Sequence, residues 1–333
     1  MGIISLTGSD CSGKSTLVEN LSKTTGHSSI HFDKPKDMED GKQQYFEFAE
    51  NMNSDSSKNI ICDRLHEGEW IYAPLYRGYT ADYMREFERE IIKKHNFLLV
   101  YVKAEIDTIL NRARTRGEDF VKEEDFQTVL DLFNDYMNEQ ALPYIEVDTT
   151  NSKTENDVKR ILDAYQKVDK IWTAIRNGNV PGAILTPAMP RGNIEADYVI
   201  IGQNPGGRGK PDVKYSTTWC DINLSEFMMN TTKEAGVHRN SWYTNLVPYP
   251  TSDNKVTKDQ IAATLDILKL QIELIQPKKI VTLGTVSYEV VKKEFGNDFE
   301  IVDLPHPSYV KRFLSGSPEK LKEWVKMFAN LKE

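Results

Sequence analysis

The segment Gly8-Ser-Asp-Cys-Ser-Gly13-Lys14-Ser15 decides the fold class of the first half of the chain. It follows an apolar run, Gly2–Thr7, and precedes a stretch of helical periodicity, which together predict a strand, a glycine loop and a helix. In such a loop the backbone N–H groups surround a phosphate at the positive end of the helix dipole. This context favours a nucleotide site over an ordinary glycine-rich turn that caps a helix.

The same segment predicts the cofactors, which are ATP and Mg²⁺. A lysine at the start of the helix reaches the β- and γ-phosphates, and the hydroxyl that follows it holds the metal ion. Ser15 is therefore the predicted metal ligand. The residues predicted to bind the cofactor are Gly8, Ser12, Gly13, Lys14, Ser15 and Thr16.

Strand and helix patterns alternate along both halves of the chain, which predicts the α/β class. The 333 residues exceed the roughly 250–300 that one core usually supports, and a stretch rich in proline and glycine follows a long helical pattern near position 175. We therefore expect two domains, at residues 1–168 and 169–333. Each is predicted to be a three-layer α/β/α domain with a mostly parallel sheet.

Composition narrows the possible functions. The net charge is −8, and the acidic excess lies in the first half, because residues 1–170 contain 22 basic and 32 acidic side chains. An acidic first half suits a small-molecule enzyme, and a nearly neutral second half tolerates nucleic acid. No apolar run approaches the roughly 20 residues that cross a bilayer, so we expect no membrane partner and a cytoplasmic location. The three separated cysteines disfavour disulfide, zinc and iron–sulfur sites.

Charged residues after the second predicted strand indicate a site for a phosphate acceptor. Asp63 and Arg64 follow the apolar run 59–62, at a strand end where open α/β sheets bind ligands. An arginine there can grip a phosphate with two hydrogen bonds. Further along, Arg112, Arg114 and Arg116 precede Gly117, a pattern typical of a lid that neutralises a transferring phosphoryl group or of a solvated helix end.

Together these motifs resemble the thymidylate kinase family over about residues 1–150. The resemblance implies that Asp10 contacts the sugar 3′-hydroxyl and that Arg64, beside Asp63, holds the acceptor phosphate. It also implies that Tyr72 packs under the deoxyribose. The residues implied in catalysis are Lys14, Asp63, Arg64, Arg112 and Arg116, and those implied in acceptor binding include Asp10, Glu69, Tyr72 and Arg77.

Glu69 departs from the family pattern, which has a neutral amide or small polar residue near the pyrimidine edge. A carboxylate can accept a hydrogen bond from a ring N–H or an exocyclic amine but cannot donate to a carbonyl. Thymine, a 5-modified uracil and cytosine therefore all remain open as the acceptor base.

Two short motifs mark the second half. The apolar run 198–202 leads into Gln203-Asn204-Pro205-Gly206, and a later one leads into Pro305-His306-Pro307-Ser308. Taken alone, the first is a ligand loop or only a turn, and the second is an aimed imidazole or only a capped helix start. With Thr244-Asn245 and the segment 276–284 between them, the four motifs resemble the uracil-DNA glycosylase superfamily over about residues 180–333.

This second resemblance implies residue roles in base excision. Asn204 would orient the attacking water, and His306 would donate a hydrogen bond to the base carbonyl as negative charge develops there. Ser308 to Arg312 would press on the DNA backbone, with Lys311 as a further phosphate contact. The residues implied in substrate binding are Gln203, Tyr215, Trp219, Asn245, Ser308 and Arg312.

The leading interpretation is a bifunctional pyrimidine enzyme. One half would phosphorylate a deoxynucleoside monophosphate, dTMP or a 5-modified dUMP, and the other would excise uracil or a related base from DNA. Such a fusion suits a bacteriophage, acting in the host cytoplasm, and the kinase resemblance implies a possible homodimer. Two alternatives stay open: a kinase that phosphorylates 5-hydroxymethyluracil within DNA, with the second half as a base-flipping reader, and a glycosylase fold that has lost its activity.

Overall fold

The computed structural model describes residues 2–54, 59–117, 121–139, 142–183, 187–205, 222–251, 255–314 and 316–333. The chain divides into two compact units, one of Met1–Gln140 with Tyr144–Asp169 and one of Ala141–Pro143 with Lys170–Glu333. The predicted division after residue 168 stays a prediction, because compactness alone does not establish that either part folds independently. Within the described ranges, no helix has both the length and the apolar content that spanning a bilayer requires.

The first unit is built on five parallel strands. Their spatial order is β5-β4-β1-β3-β2, so the first strand lies at the centre. The elements of this part of the chain are β1 Gly2–Thr7, α1 Lys14–Thr25, β2 Ser28–His31, α2 Met38–Ser54, β3 Ile60–Asp63, α3 His66–Tyr72, α4 Met84–Lys94, β4 Asn96–Lys103, α5 Ile106–Arg116, α6 Phe126–Asn138, β5 Pro143–Asp148 and α7 Thr154–Asn177.

Burial explains why these strands form a central sheet. All six residues of β1 are buried, as are the first seven of β4, which is the continuous apolar pattern of strands covered on both faces. The strand β1 lies between β3 and β4, where the strand order reverses. The chain that leaves the carboxyl end of β1 therefore lines the crevice in which open α/β sheets bind ligands. The register pairs Leu6 with Asp63, which places the two predicted kinase motifs side by side.

The second unit also has a mostly parallel sheet. Its order is β10-β9-β7-β8-β6, in which the first four strands are parallel and β6 runs antiparallel to β8. Its elements are β6 Arg191–Asn193, β7 Tyr198–Gly202, α8 Ile222–Glu234, β8 Ser241–Asn245, α9 Lys258–Ile275, β9 Lys279–Leu283, α10 Thr285–Phe295, β10 Glu300–Leu304, α11 Pro307–Tyr309 and α12 Pro318–Ala329.

One hydrophobic cluster of the second unit joins strands of this sheet to the helices beside them. Trp324 and Phe328 of α12 pack edge to face, with ring centroids 5.0 Å apart, in a cluster that includes Ile200 and Tyr243 of the strands. Buried aromatic side chains of this size supply much of the apolar area that stabilises a domain. The α/β class with mostly parallel sheets, predicted from the sequence, is confirmed.

Candidate functional sites

The loop between β1 and α1 has the backbone that a phosphate site requires. Gly8 and Gly13 have φ values of 142° and 95°, which side-chain-bearing residues rarely adopt. A Cβ atom on Gly8 would lie 2.0 Å from the carbonyl oxygen of Val102. Only glycine therefore fits there, and the loop can turn tightly around an anion in front of α1.

Lys14, the first residue of α1, is buried and folded onto this loop. Its Nζ donates to the carbonyl oxygens of Gly8 and Ser9, at 2.8 and 2.6 Å. The pKa of Lys14 is lowered to about 8, mainly because the group is buried; the charge of Asp10 opposes this shift and the guanidinium of Arg64 adds to it. The ammonium is thus held at the loop by backbone dipoles, and none of the described carboxylates forms an ion pair with it, which leaves its charge available to a phosphate.

Asp63 and Ser15 form a candidate magnesium site beside the loop. The hydroxyl of Ser15 donates to Oδ2 of Asp63 at 3.0 Å, and Nδ1 of His31 lies 3.2 Å from the same oxygen. Oδ1 of Asp63 is buried with no hydrogen-bond partner among the described residues. A buried carboxylate oxygen next to a hydroxyl suits the oxygen-rich coordination of Mg²⁺, so the residues present fit this ion.

The acceptor side of the loop contains an ion pair. Arg64 has φ of 62°, a left-handed conformation that is uncommon for arginine, and its Nη2 lies 2.5 Å from Oδ1 of Asp10. Oδ2 of Asp10 is buried and accepts no hydrogen bond from the described part of the chain. Tyr72 is close enough to Asp10 and Arg64 for their charges to affect its pKa, which burial raises. Asp10, Arg64 and Tyr72 are therefore brought together.

Arg112 joins the helix α5 to the phosphate loop. Its Nη1 donates to the Cys11 carbonyl at 3.3 Å and to Thr149 Oγ1 at 3.0 Å, and its Nη2 donates to the Thr149 carbonyl at 2.7 Å. Arg114 instead pairs with Glu123. A cavity of about 190 Å³ collects most of the predicted kinase residues, and it is lined by Asp10, Cys11, Gly13, Lys14, Ser15, Thr16, Arg64, Arg112 and Arg116.

Glu69 is held by three partners. Arg77 Nη2 and the hydroxyl of Tyr79 each lie 2.5 Å from a carboxylate oxygen of Glu69, and the Tyr83 hydroxyl donates to it at 3.2 Å. Both members of the Glu69–Arg77 pair are almost completely buried. The pair ties α3 to the turn that follows it, and Tyr83 adds a contact from the start of α4. The role of Glu69 in reading the base stays a prediction.

In the second unit the predicted excision residues lie at the carboxyl ends of adjacent parallel strands. Asn204 follows β7, and Asn245 ends β8 in register with Gly202. The strand β9 lies on the other side of β7 and ends just before Gly284. His306 is close to this end, because a Cβ atom added to Gly284 would lie 3.2 Å from the Cβ of His306. Because these strands are parallel, Asn204, Asn245 and His306 share one edge of the sheet.

The hydrogen bonds of His306 fix its tautomer. The backbone N–H of Ser308 donates to Nδ1 of His306 at 3.2 Å, and the Ser308 hydroxyl lies 2.6 Å from the same nitrogen. An atom that accepts from a backbone N–H carries no proton, so the proton of the neutral ring is on Nε2. Burial lowers the pKa of His306, which keeps the ring neutral. His306 therefore presents Nε2–H as a donor, as an oxyanion site requires.

Asn204 is held by side chains on both sides. Its Nδ2 donates to Thr251 Oγ1 at 3.3 Å, and Gln203 Nε2 donates to its Oδ1 at 3.2 Å. The amide is thus fixed at the rim of the strand-end crevice. Tyr215 and Trp219, which the resemblance implies in substrate binding, lie outside the described residues.

An exposed aromatic and basic segment follows His306. Tyr309 and Phe313 are 50% and 62% exposed, with ring centroids 5.1 Å apart, and Lys311 and Arg312 lie between them in the chain. Large exposed aromatic side chains are uncommon on a monomer surface and mark interaction sites when grouped. We call Tyr309–Phe313 the aromatic segment.

One known family matches the second half of the chain. Residues 189–332 match the family model of the Uracil DNA glycosylase superfamily. These residues form a uracil DNA glycosylase superfamily domain. The solved structure of SMUG2 from Pedobacter heparinus is 17% identical to this chain, covers 49% of it and 97% of its own length, and has a TM-score of 0.34.

The N-terminal half is similar to a different set of proteins, which includes a prophage protein and a nucleoside kinase. YorR, an uncharacterized protein derived from the SPbeta prophage of Bacillus subtilis (strain 168), is 27% identical over 165 residues, which are 49% of this chain and 98% of YorR. The crystal structure of YorR in complex with phosphorylated GDP is 24% identical, with a TM-score of 0.44, and covers 50% of this chain and 98% of its own. A deoxyadenosine kinase from M. mycoides, with products dCMP and dCDP, is 19% identical, with a TM-score of 0.37 and coverages of 49% and 98%.

Three contact residues of these sites were not found by sequence reasoning. His31 contacts Asp63, Thr149 links Arg112 to the phosphate loop, and Thr251 contacts Asn204 of the glycosylase superfamily domain. Thr149 directly follows β5, so its place after a buried strand was a usable signal. His31 and Thr251 belong to no local motif, and only tertiary pairing reveals them.

Proposed function

We propose that the chain is a bifunctional pyrimidine enzyme. Its N-terminal half phosphorylates a deoxynucleoside monophosphate, dTMP or a 5-modified dUMP, with ATP and Mg²⁺. Its glycosylase superfamily domain excises uracil or a related base from DNA. The observation that carries the kinase proposal is the single cavity around Lys14 that also contains Arg64, Arg112 and Arg116.

The charges in this cavity suit phosphoryl transfer. A phosphate oxygen of the acceptor forms a bond to the γ-phosphorus of ATP, while the bond to the β–γ bridging oxygen breaks and its electron pair leaves with ADP. Lys14 and the arginines stabilise the negative charge that spreads over the transferring group. We expect Arg64, which pairs with Asp10, to hold the acceptor phosphate, and Arg112, which donates to Thr149, to act from the side of the phosphate loop.

Ser15 and Asp63 would hold Mg²⁺ in this reaction. When bound, the ion neutralises charge on the β- and γ-phosphates. Asp63 would contribute its buried Oδ1, for which the described residues supply no hydrogen-bond donor, while its Oδ2 accepts from Ser15.

Base excision needs a hydrogen-bond donor that stabilises the base anion and a group that orients the attacking water. We assign the first role to His306 and the second to Asn204. The water oxygen forms a bond to C1′ of the flipped nucleotide, and the bond from C1′ to the base nitrogen breaks with its electron pair on the base. The water loses a proton to solvent, and the base later takes one from solvent. His306 Nε2–H stabilises the developing base anion, and the Asn204 amide orients the water.

An acceptor screen tests the kinase assignment. The protein is incubated with [γ-³²P]ATP and either free deoxynucleoside monophosphates or duplex DNA that contains 5-hydroxymethyluracil. We expect label in free dTMP or a 5-modified dUMP. Label only in the DNA would replace this assignment by a DNA-directed kinase in which the second half acts as a base-flipping reader.

An excision panel tests the second activity. Duplexes that contain uracil, 5-hydroxymethyluracil or thymine are treated with the protein and then with alkali, which cleaves abasic sites. We expect strand breaks at uracil or a related base. Intact strands for all three duplexes would indicate that the domain retains the fold without the activity.

Phe313 is predicted to contribute to DNA binding. Stacking of a base on an aromatic ring is worth about 1–3 kcal/mol, so Phe313→Ala should raise Kd for a uracil-containing duplex by about 5- to 150-fold. Fluorescence polarisation with a labelled duplex measures this change. Met327→Ala is the matched control, because Met327 is 42% exposed on α12 outside the aromatic segment. Equal Kd values for the two variants would contradict the role of the aromatic segment.

A further inference from the structure

Thr251 makes a contact that determines which way the Asn204 amide points. Thr251 is buried, and its backbone forms an isolated antiparallel bridge with Ala183, which fixes its position in the second unit. Its Oγ1 lies 3.3 Å from Asn204 Nδ2 and 2.9 Å from the carbonyl oxygen of Lys255. A single hydroxyl thus faces both a backbone carbonyl and a side-chain amide.

The number of protons on this hydroxyl decides the orientation of the amide. A threonine hydroxyl has one proton and two lone pairs, and a carbonyl oxygen can only accept. The proton of Thr251 is therefore used on Lys255, and only a lone pair faces Asn204. Asn204 must present its NH₂ group to Thr251 and direct Oδ1 to the opposite side. The carbonyl of Pro205, 3.5 Å from Nδ2, favours the same orientation.

This orientation matters for a water that attacks carbon. The water must present a lone pair to C1′ and its hydrogens to an acceptor. An amide oxygen provides that acceptor, whereas an amide turned by 180° would place N–H donors against the lone pair that has to react. The direction of Oδ1 therefore affects the excision step itself and not the binding of DNA.

We propose that Thr251 is a positioning residue for base excision, which holds Asn204 so that Oδ1 faces the attacking water. This inference rests on the proposed excision activity. Gln203, which donates to Oδ1 from the adjacent position, supports the same orientation from the other side.

Three variants test the proposal by single-turnover excision and by DNA affinity. Thr251→Val keeps the shape of the side chain but removes the acceptor, and we expect the excision rate to fall about tenfold with Kd unchanged. Thr251→Ser retains the hydroxyl and should restore the rate to within about twofold of the parent. Thr231→Val is the matched control, because this buried hydroxyl donates to the Phe227 carbonyl of its own helix. Its rate should equal that of the parent.

A rate in Thr251→Val equal to that of the parent would overturn the proposal, and so would equal losses in the valine and serine variants. The second readout is independent of activity. In ¹⁵N-labelled protein, the Asn204 side-chain NH₂ signals, identified by their loss in Asn204→Asp, should exchange slowly in the parent and quickly in Thr251→Val. Thr251→Ala replaces the valine variant if that variant does not melt cooperatively.

The two readouts separate this inference from the proposed function. A parent protein that leaves uracil in DNA refutes excision, and the exchange of the Asn204 amide then decides the contact with Thr251. Unchanged exchange in Thr251→Val overturns the positioning role whatever the excision panel shows.

Discussion

Lys14→Ala is expected to lower kcat for phosphoryl transfer by about 10²–10³-fold, which is the effect of removing one preorganised donor from a charged transition state. Lys14 is the buried cation of the phosphate loop, and its ammonium is held by the Gly8 and Ser9 carbonyls. A phosphate competes well for an ammonium held by neutral acceptors of this kind. Transfer of ³²P from ATP to the best acceptor measures the loss.

The control for Lys14→Ala is base excision by the same preparation, which should keep the parent rate. Lys23→Ala, which removes an exposed lysine of the same helix, should leave kcat unchanged. A loss of less than about tenfold in Lys14→Ala would contradict the assignment of the loop to ATP.

Because the pKa of Lys14 is lowered, we expect kcat/KM for ATP to depend on pH near neutrality. The lysine is charged below its pKa of about 8 and neutral above it. In the free enzyme, kcat/KM for ATP should therefore fall as the pH rises past about 8, by up to about tenfold per unit. Bound phosphates raise the pKa again, so kcat should stay constant over the same range. If kcat and kcat/KM changed with pH in the same way, this explanation would be contradicted.

The sequence predicted the buried elements of the fold well because their signals are local. The runs that form β1, β4 and β9 are mostly apolar, and a complete capping box at Thr257 precedes α9. Elements without such a signal were missed. In β2 three of four residues are exposed, and α2 contains a buried glycine, Gly41, in a mostly polar stretch. Sheet pairing and tertiary packing, rather than local propensity, form these elements.

Residues of the candidate sites could be predicted where they belong to a short sequence motif. The phosphate loop, the Asp63–Arg64 pair and His306 were all found from short patterns at strand ends. The contacts that hold these residues were not, since His31 and Thr251 are joined to Asp63 and Asn204 through space. The environment of Glu69 was equally hidden, because its partners Arg77, Tyr79 and Tyr83 are brought to it by the turn between α3 and α4. A sequence identifies reactive groups more readily than the groups that orient them.

Glu69 illustrates how such hidden partners change the choice of acceptor base. A carboxylate that already accepts from a guanidinium and two hydroxyls has little remaining capacity for a ring N–H. The buried pair with Arg77 also stabilises the turn next to Tyr72. We therefore do not expect Glu69 alone to select the acceptor base, which is why the acceptor screen includes both dTMP and 5-modified dUMP.

His306→Ala is expected to lower the single-turnover rate of base excision by about 10²–10³-fold, or roughly 3–4 kcal/mol of transition-state stabilisation. The reason is specific to one atom: the Ser308 N–H occupies Nδ1, so Nε2–H is the only donor that the ring offers to a base anion. Because that anion forms only as the bond to C1′ breaks, the loss should fall on the rate while Kd for the duplex stays within about twofold of the parent.

The matched control for His306→Ala is His238→Ala, which removes a buried histidine of the same unit that is bonded to Tyr243 and Thr232 instead of facing the strand-end crevice. Both variants leave the phosphate loop intact, so transfer from ATP should be unchanged in each. If excision fell equally in the two variants, the loss would reflect the folding of the unit rather than a donor at the base, and if His306→Ala lost less than about threefold, the anion would be stabilised by another group. A loss confined to His306→Ala assigns the donor to this ring, because its Nε2–H combines a fixed tautomer with a position beside Gly284 at the carboxyl edge of the sheet.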